Sequence, residues 1–247
     1  MFHLSVVGIG PGSPEEMTLR AAEALRAAEV IVGYGVYNDL VRPLFPDKEY
    51  LETPMRRERE RCRLAIETAL SGRTTALICS GDAGIYGMAS LALEMADGIP
   101  DLSVEVIPGV TAAISGAALL GAPLGHDFAV VSLSDALTSW ETIEKRLLFA
   151  ARAGFCLALY NPGSRRRPDA LRRACDLLLS VLPPETACGV ARSIGREGEC
   201  TGTMTLSALR DSPVDMFTTV FVGNPTTQVL SGRLVTPRGY RTEGERE

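Results

Sequence analysis

The sequence predicts an α/β protein in which strands alternate with helices and both faces of each sheet are covered. Short β-branched runs recur along the chain, segments of helical length lie between them, and glycine-bearing turns follow several of the runs. The 247 residues are 46% hydrophobic and 22% charged, a globular composition that excludes a disordered or collagen-like chain. This length suffices for one large or two small domains.

Eight apolar runs predict strands, at residues 4–7, 30–32, 76–78, 104–107, 129–133, 156–159, 188–191 and 220–222. Five segments between them predict helices, at residues 15–28, 57–70, 111–120, 140–153 and 168–182. At the first helix we expect Ser13 as N-cap, Pro14 at the first helical position, and Glu16 completing a capping box.

A boundary between two domains is predicted near residue 125, where Gly121, Pro123 and Gly125 interrupt the chain between a helix and a strand. Residues 1–125 then form an N-terminal α/β domain and residues 126–240 a C-terminal α/β domain. Residues 241–247 are polar, and we expect them to form a frayed tail.

Charge and cysteine usage exclude several classes of function. The net charge of -5 disfavours binding to nucleic acid or to an anionic membrane surface. The apolar stretch at residues 112–120 is too short to span a bilayer, and the first residues do not resemble a secretory signal. Six cysteines without a C-x-x-C pair and two histidines predict no metal site and a reducing cytoplasmic location.

The turn at residues 8–16 joins the first strand to the first helix and contains three closely spaced glycines. It lacks a dinucleotide fingerprint, because Ser13 stands at the third glycine position and Pro11 has no amide hydrogen, so binding of NAD is disfavoured. Two interpretations remain: a tight structural turn, or a loop whose Gly10 and Gly12 let a flat ligand approach the backbone.

Further turns follow later strands. Residues 79–88 hold three glycines and Asp82, as expected for a ligand crevice at the carboxyl ends of strands in an open α/β sheet. In residues 108–113, Thr111 can cap a helix or offer its hydroxyl to a ligand. Residues 159–167 combine a strand end with three arginines, and residues 222–227 and 235–240 form two more turns.

Taken in this order, five stretches resemble the tetrapyrrole methylase family, over about residues 3–240. They are GDAGIYGMA at 81–89, GHDF at 125–128, SLSD at 132–135, LYNP at 159–162 and TPRGY at 236–240. The match is closest to the ring-contracting branch, which has Gly-Asp-Ala where more distant relatives have Gly-Asp-Pro. The resemblance implies methylation of precorrin-3B at C(17) with ring contraction, in cobalamin biosynthesis, or the same reaction on cobalt-factor III.

The resemblance also implies two α/β domains with a cleft between them, S-adenosylmethionine bound in that cleft and released as S-adenosylhomocysteine, and a homodimer. It places Pro11 beside the cofactor and the tetrapyrrole trough. The cofactor contacts that it implies are Pro11, Ser80, Gly81, Asp82, Ile85, Thr111, Ala112, Tyr160 and Asn161, together with Arg192, Ser193, Thr218 and Thr219.

Methyl transfer from a sulfonium donor mainly requires orientation, so neither a metal nor a nucleophilic triad is expected. Ring contraction requires proton transfers and therefore a general acid or base near the macrocycle. Asp82 is our first candidate, followed by His126 and Asp135. For His126 the alternative is a hinge histidine that hydrogen-bonds backbone.

A substrate edged with carboxylates needs cations at its rim. Arg57 and Arg61, one helical turn apart, and Arg165 and Arg166 are the candidates, with ordinary surface charge as the alternative for each pair. Other open functions are a different tetrapyrrole methylase, a tetrapyrrole carrier, and an RNA methylase or RNA-binding module. The acidic net charge and the absence of aromatic residues among the arginines count against RNA.

Overall fold

The computed structural model describes residues 1–240, which form two compact units. The first unit spans Met1–Ala112 and the second begins at Ala113. The predicted polar tail at residues 241–247 lies outside the described residues.

The first unit alternates strands and helices, as the sequence predicts. Its strands are β1 (Phe2–Gly8), β2 (Val30–Tyr34), β3 (Glu49–Thr53), β4 (Thr75–Cys79) and β5 (Leu102–Ile107). Its helices are a 3-10 helix (Pro14–Glu16), α1 (Leu19–Ala27), α2 (Gly35–Val41), α3 (Glu58–Leu70) and α4 (Ala89–Ala96).

The five strands of the first unit form one parallel sheet in the order β3-β2-β4-β1-β5. Alternate residues of β1 pack on opposite faces: Leu4 and Val6 join a cluster with α3 and α4, whereas Val7 joins one with α1 and α2. Because all strands run the same way, the turns that follow β1, β4 and β5 emerge at one edge of the sheet.

The start of the first helix differs from the prediction. Ser13 precedes the 3-10 helix and makes no side-chain capping bond, and the α-helix begins only at Leu19. The cap of α1 is Thr18, whose Oγ1 accepts a hydrogen bond from Ala21 N at 3.1 Å. The predicted capping box is therefore wrong: Pro14 starts a single tight turn, and the chain bends again before the regular helix.

The second unit contains a larger sheet and a small one. Its strands are β6 (Gly121–Ala122), β7 (Phe128–Ser132), β8 (Cys156–Tyr160), β9 (Ala187–Arg192), β10 (Cys200–Thr205), β11 (Thr218–Val222), β12 (Gln228–Leu230) and β13 (Arg233–Val235). Its helices are α5 (Ala112–Leu120), whose first residue closes the first unit, α6 (Trp140–Arg152), α7 (Ala170–Leu178) and α8 (Leu206–Leu209).

The larger sheet has the order β10-β9-β11-β8-β7 and is mixed. Strands β7 and β8 are parallel, whereas β11 runs antiparallel to both of its neighbours, β8 and β9. Consequently the carboxyl ends of β7, β8 and β9 and the amino end of β11 share one edge, which we call the Tyr160 edge. The carboxyl end of β11 lies at the opposite edge.

The division between the units falls between Ala112 and Ala113, at the first turn of α5, earlier than the predicted boundary near residue 125. Helix α5 packs on the second unit, where a Cβ added to Gly116 would lie 3.0 Å from the Phe221 ring and from Ile194. The glycines and proline at 121–125 therefore mark a bend inside the second unit. No helix within residues 1–240 has the length and apolarity needed to cross a membrane.

Candidate functional site

The turns after β1, β4 and β5 are in direct backbone contact. Gly10 N donates to Gly81 O at 3.1 Å, and Gly81 N donates to Gly10 O at 2.7 Å. A Cβ on Gly8 would lie 2.7 Å from Gly109 N and 2.7 Å from Gly81 O. Glycines at positions 8 and 109 are thus required by the packing of one turn on another.

Gly81 differs from these packing glycines. Its φ of +69° requires a residue that tolerates the left-handed region, yet an added Cβ would meet no atom closer than 3.7 Å. The backbone beside Gly81 is therefore open to close approach by another group. Gly10 also has positive φ, at +80°. The other members of the predicted site in this unit lie in the same three turns, namely Pro11, Gly12, Ser80, Ile85, Thr111 and Ala112.

Asp82 holds two of these turns together. Its Oδ1 accepts hydrogen bonds from Gly84 N at 2.8 Å and Ile85 N at 3.0 Å, and its Oδ2 accepts one from Gly109 N at 2.9 Å. Both carboxylate oxygens are therefore bound to backbone donors. This arrangement makes Asp82 a positioning residue for the turns, and its role as an acid or base stays a prediction.

The turn after Asp82 presents apolar side chains to solvent. Ile85 is 41% exposed and Tyr86, with a φ of +54°, is 56% exposed. Thr111, by contrast, is buried. Exposed apolar groups at the carboxyl edge of a parallel sheet are typical of a surface that takes an apolar ligand.

In the second unit the Tyr160 edge collects the remaining predicted cofactor contacts. Tyr160 is paired with Ser132 across β8 and β7, and its hydroxyl accepts a hydrogen bond from Ala113 N at 2.8 Å. Asn161, with a φ of +55°, donates from Nδ2 to Ser132 Oγ at 2.9 Å. The hydroxyl of Ser132 was not among the predicted site residues, although its motif was recognised.

Arg192, Ser193, Thr218 and Thr219 lie at the same edge, because the end of β9 pairs with the start of β11. Asp215, which sequence reasoning missed, connects them. Its Oδ1 accepts from Thr218 Oγ1 at 2.9 Å, and its Oδ2 lies 2.7 Å from Arg192 Nη2. A single acidic residue in a loop before a strand carries no recognisable sequence signal.

Asp135 follows β7 and is likewise on the Tyr160 side of the sheet. Its Oδ1 lies 3.5 Å from Arg167 Nη1, and the same guanidinium donates to Ser134 Oγ. Arg167 is thus held by its neighbours, whereas Arg165 and Arg166 are exposed and form no ion pair with a residue in the described range 1–240. Arg165 and Arg166, the two residues of this run that were predicted to bind the rim of the substrate, therefore remain available to a ligand.

His126 lies at the opposite edge. It precedes β7, whose five residues separate it from Ser132 and Tyr160 by roughly 13 Å or more along the strand. Its Nδ1 accepts a hydrogen bond from Asp127 N at 2.9 Å. His126 lines an open pocket of about 380 Å³ with parts of the turns at 222–227 and 235–240. The structure does not bring His126 to Tyr160 and Asn161, and favours the alternative of a backbone-bonded histidine.

The threonine of the 236–240 stretch has a packing role. Thr236 is buried, its Oγ1 donates to Pro123 O at 2.6 Å, and it lies 2.8 Å from Thr227 Oγ1. The TPRGY stretch therefore helps to hold together the turns at the edge that carries His126.

The two predicted rim arginines of α3 have different environments. Arg57 is exposed and lies 3.8 Å from Glu60. Arg61 is 5% exposed and turns into the first unit. A cation buried to this extent does not lie on an exposed surface, so Arg57 and Arg61 do not form an exposed pair, and a role of Arg61 toward the substrate stays a prediction.

Burial raises the pKa of three thiols: Cys62 to about 11, Cys79 to about 12 and Cys175 to about 12. These thiols are neutral at pH 7 and unsuited to nucleophilic attack or metal binding. Within residues 1–240 no group of three or more His, Cys, Asp or Glu side chains is arranged to hold a metal ion.

Comparison with known proteins gives the class. A family model described as "Tetrapyrrole (Corrin/Porphyrin) Methylases" matches residues 3–210. The chain belongs to the tetrapyrrole methylase family, and it is a methyltransferase of that family.

Individual relatives are similar over nearly their whole length. The chain is 52% identical over 238 residues to a protein of Salmonella typhimurium strain LT2 named "Probable cobalt-factor III C(17)-methyltransferase", covering 96% of this chain and 99% of that protein. It is 42% identical over 246 residues to the "Precorrin-3B C(17)-methyltransferase" of Sinorhizobium sp, covering 96% of each.

The chain is similar to the crystal structure of the methyltransferase CobJ, with a TM-score of 0.88 and 35% sequence identity between the two chains. The alignment covers 96% of this chain and 100% of that one. The predicted α/β architecture and the predicted family are confirmed.

Proposed function

We propose that the chain transfers a methyl group from S-adenosylmethionine to C(17) of precorrin-3B and contracts its ring, as a step of cobalamin biosynthesis. The alternative is the same reaction with cobalt-factor III as the substrate. The observation that carries the proposal is the gathering of the candidate residues: one set in the three contacting turns of the first unit, the other at the Tyr160 edge of the second. The names of the relatives at 52% and 42% identity support it.

The residues fit a sulfonium cofactor with an amino-acid tail. Gly81 leaves open backbone beside a turn, and Thr218, Thr219 and Asn161 offer neutral hydroxyl and amide groups. When bound, S-adenosylmethionine supplies a methyl group whose bond to sulfur breaks with the electron pair left on sulfur, while the substrate carbon forms the new carbon–carbon bond. The role of these side chains is to hold the reacting groups in line. In well-oriented systems this lowers the reaction barrier by about 7 kcal/mol or more.

For the proton transfers of ring contraction we propose Asp135. Asp82 is held by three backbone donors, and His126 lies at the far edge of its sheet, whereas Asp135 is about half exposed beside Arg167 and on the Tyr160 side. In this proposal the carboxylate takes or returns a proton at the macrocycle, and Arg167 keeps it oriented.

The decisive test is incubation of the protein with S-adenosylmethionine and either metal-free precorrin-3B or cobalt-factor III, followed by mass and absorption spectrometry. A mass gain of one methyl group, with the spectral change of contraction, is expected for one of the two macrocycles. Mixtures without the methyl donor serve as controls. A protein that leaves both macrocycles unchanged contradicts the proposal.

We further propose a homodimer in the cytoplasm. The six cysteines are free thiols, five of them buried, which suits a reducing compartment. Light scattering of the purified protein is expected to give twice the chain mass of 26.4 kDa. A mass equal to one chain would contradict the dimer.

A further inference from the structure

Arg61 is a buried cation that has no acidic partner within the described residues 1–240. It lies on the inner face of α3 and is 5% exposed, next to the carboxyl ends of β2 and β3. No carboxylate among residues 1–240 lies within ion-pair distance of its guanidinium. A charge removed from water in this way is strongly unfavourable unless an opposite charge or a full set of hydrogen bonds compensates it.

The hydrogen bonds of Arg61 are incomplete. Nη2 donates to Pro54 O at 2.9 Å and to Thr53 O at 3.5 Å, and Nη1 has Met88 Sδ at 3.9 Å. A thioether is a weak acceptor, and Nε is buried with no hydrogen-bond partner in the part of the chain that the structure describes. The hydroxyl oxygen of Thr53, at the end of β3, is also buried and has no hydrogen-bond partner among residues 1–240.

The position of Arg61 along α3 adds to the free-energy cost of burying its charge. It is the fourth residue of α3, in the turn where the amide groups of the helix already create a positive potential. That site favours an anion. A cation there, buried and short of acceptors, indicates that an anion joins it in the working complex.

The existing contacts fix the guanidinium in place. The carbonyls of Thr53 and Pro54 hold one side, and the Tyr34 ring lies 5.9 Å from the guanidinium carbon. The adjoining segment at residues 54–57 is exposed and carries Arg56 and Arg57. A ligand at this edge would therefore meet an oriented donor with further positive charge beside it.

We propose that Arg61 and the Thr53 hydroxyl form a carboxylate subsite that receives one acidic side chain of the macrocycle. This inference rests on the proposed function, because the polycarboxylate substrate supplies the anion. The methyl donor also has a carboxylate that could pair with Arg61. The experiment below distinguishes this carboxylate from those of the macrocycle.

The test is calorimetric titration of the full chain and its Arg61→Met variant. Cobalt-factor III is titrated in the presence of S-adenosylhomocysteine, which prevents turnover, and S-adenosylhomocysteine is titrated alone. Loss of one partner of a buried charge pair predicts a loss of macrocycle affinity of about 30-fold or more. Affinity for S-adenosylhomocysteine is expected to stay within about twofold, and Arg61→Lys is expected to bind the macrocycle with intermediate affinity.

The matched control is Arg26→Met, which removes one exposed arginine of the same unit. It is expected to bind both ligands as the wild type does. Urea unfolding without ligand gives an independent readout, because removal of an uncompensated buried charge predicts a stability of Arg61→Met equal to or above that of the wild type.

Equal macrocycle affinity of wild type and Arg61→Met would overturn the subsite while leaving the proposed function intact. A selective loss of S-adenosylhomocysteine affinity would overturn it in favour of the carboxylate of the methyl donor. A variant that is less stable, yet binds normally when folded, would make Arg61 a purely structural residue. Absence of wild-type affinity for cobalt-factor III, with S-adenosylhomocysteine still bound, would contradict that substrate and the subsite built on it.

Discussion

Asp82 links two turns through both oxygens of one carboxylate, and the loss of that link should be measurable as stability. Replacement by alanine leaves the backbone donors of Gly84, Ile85 and Gly109 without their acceptor. We expect Asp82→Ala to lower the free energy of unfolding by about 2–3 kcal/mol in urea titration. Asp82→Asn, which retains an acceptor of similar shape, is the control and should lose less. An alanine variant as stable as the wild type would contradict the positioning role.

His126 provides a complementary prediction about activity. Because it lies at the edge opposite Tyr160, we expect His126→Ala to retain wild-type rates of methylation and contraction. Asp135→Asn, assayed alongside, should methylate the substrate but contract it at least about 100-fold more slowly. The two steps are followed separately by mass and absorption. A contraction defect in His126→Ala with normal folding would restore His126 as an acid or base.

The buried thiols predict how stability depends on pH. The pKa values of Cys62 and Cys79 are raised by burial to about 11 and about 12, so the folded chain keeps their protons at a pH where the unfolded chain loses them. Stability from this source is complete below pH 9 and falls as the pH rises through 9–11 for Cys62 and 9–12 for Cys79. Urea unfolding across pH 7–11 should show the fall, and Cys79→Ala should flatten it. A slope unchanged by that substitution would contradict the assignment.

The sequence motifs identified which residues belong to the candidate site. They did not predict which contacts those residues make. The GDAG stretch identified Asp82, but the hydrogen bond that its Oδ2 accepts from Gly109 N depends on how the turn after β5 packs against it. Likewise the i, i+4 spacing of Arg57 and Arg61 predicted two neighbouring surface cations. Burial of Arg61 follows from the strand end at Thr53 and Pro54, which a local pattern does not contain.

At the scale of elements, the turns after β1, β4 and β5 pack so closely that one added methyl group should lower the stability of the protein. A Cβ on Gly8 would approach backbone atoms of Gly109 and Gly81 to 2.7 Å. We expect Gly8→Ala to lower the free energy of unfolding by at least about 2 kcal/mol, because backbone cannot yield as a side chain does. Gly202→Ala, where the nearest atoms are 3.8 Å away, is the control and should be near neutral. Equal stabilities of the two variants would contradict the packing of the three turns.

Strands with apolar runs were predicted well, including the edge strands β5 and β7, whereas two polar edge strands were missed for a physical reason. All eight predicted strands are present, and the central ones carry mostly buried residues. Strands β3 and β10, at the ends of their sheets, are rich in Glu and Thr because one side meets solvent, so they lack that signal. His126 is separated from Tyr160 because it precedes β7, whereas Tyr160 ends β8, which runs parallel to β7.

At the scale of the whole molecule, the resemblance between sequences was more informative than any single motif. The predicted boundary followed glycine and proline, whereas the observed division lies at the first turn of α5, whose Gly116 packs on Phe221. The family, by contrast, was predictable because its stretches occur in a fixed order along the chain. The family model matches residues 3–210, a range that contains four of the five stretches.

The central claim, methylation at C(17), is tested most directly by the position of a labelled carbon. The protein is incubated with precorrin-3B or cobalt-factor III and S-adenosylmethionine carrying a carbon-13 methyl group, and the product is examined by NMR. We predict one labelled methyl group, attached at C(17) of a contracted ring. Label at another ring carbon, or a macrocycle without label, would contradict the account.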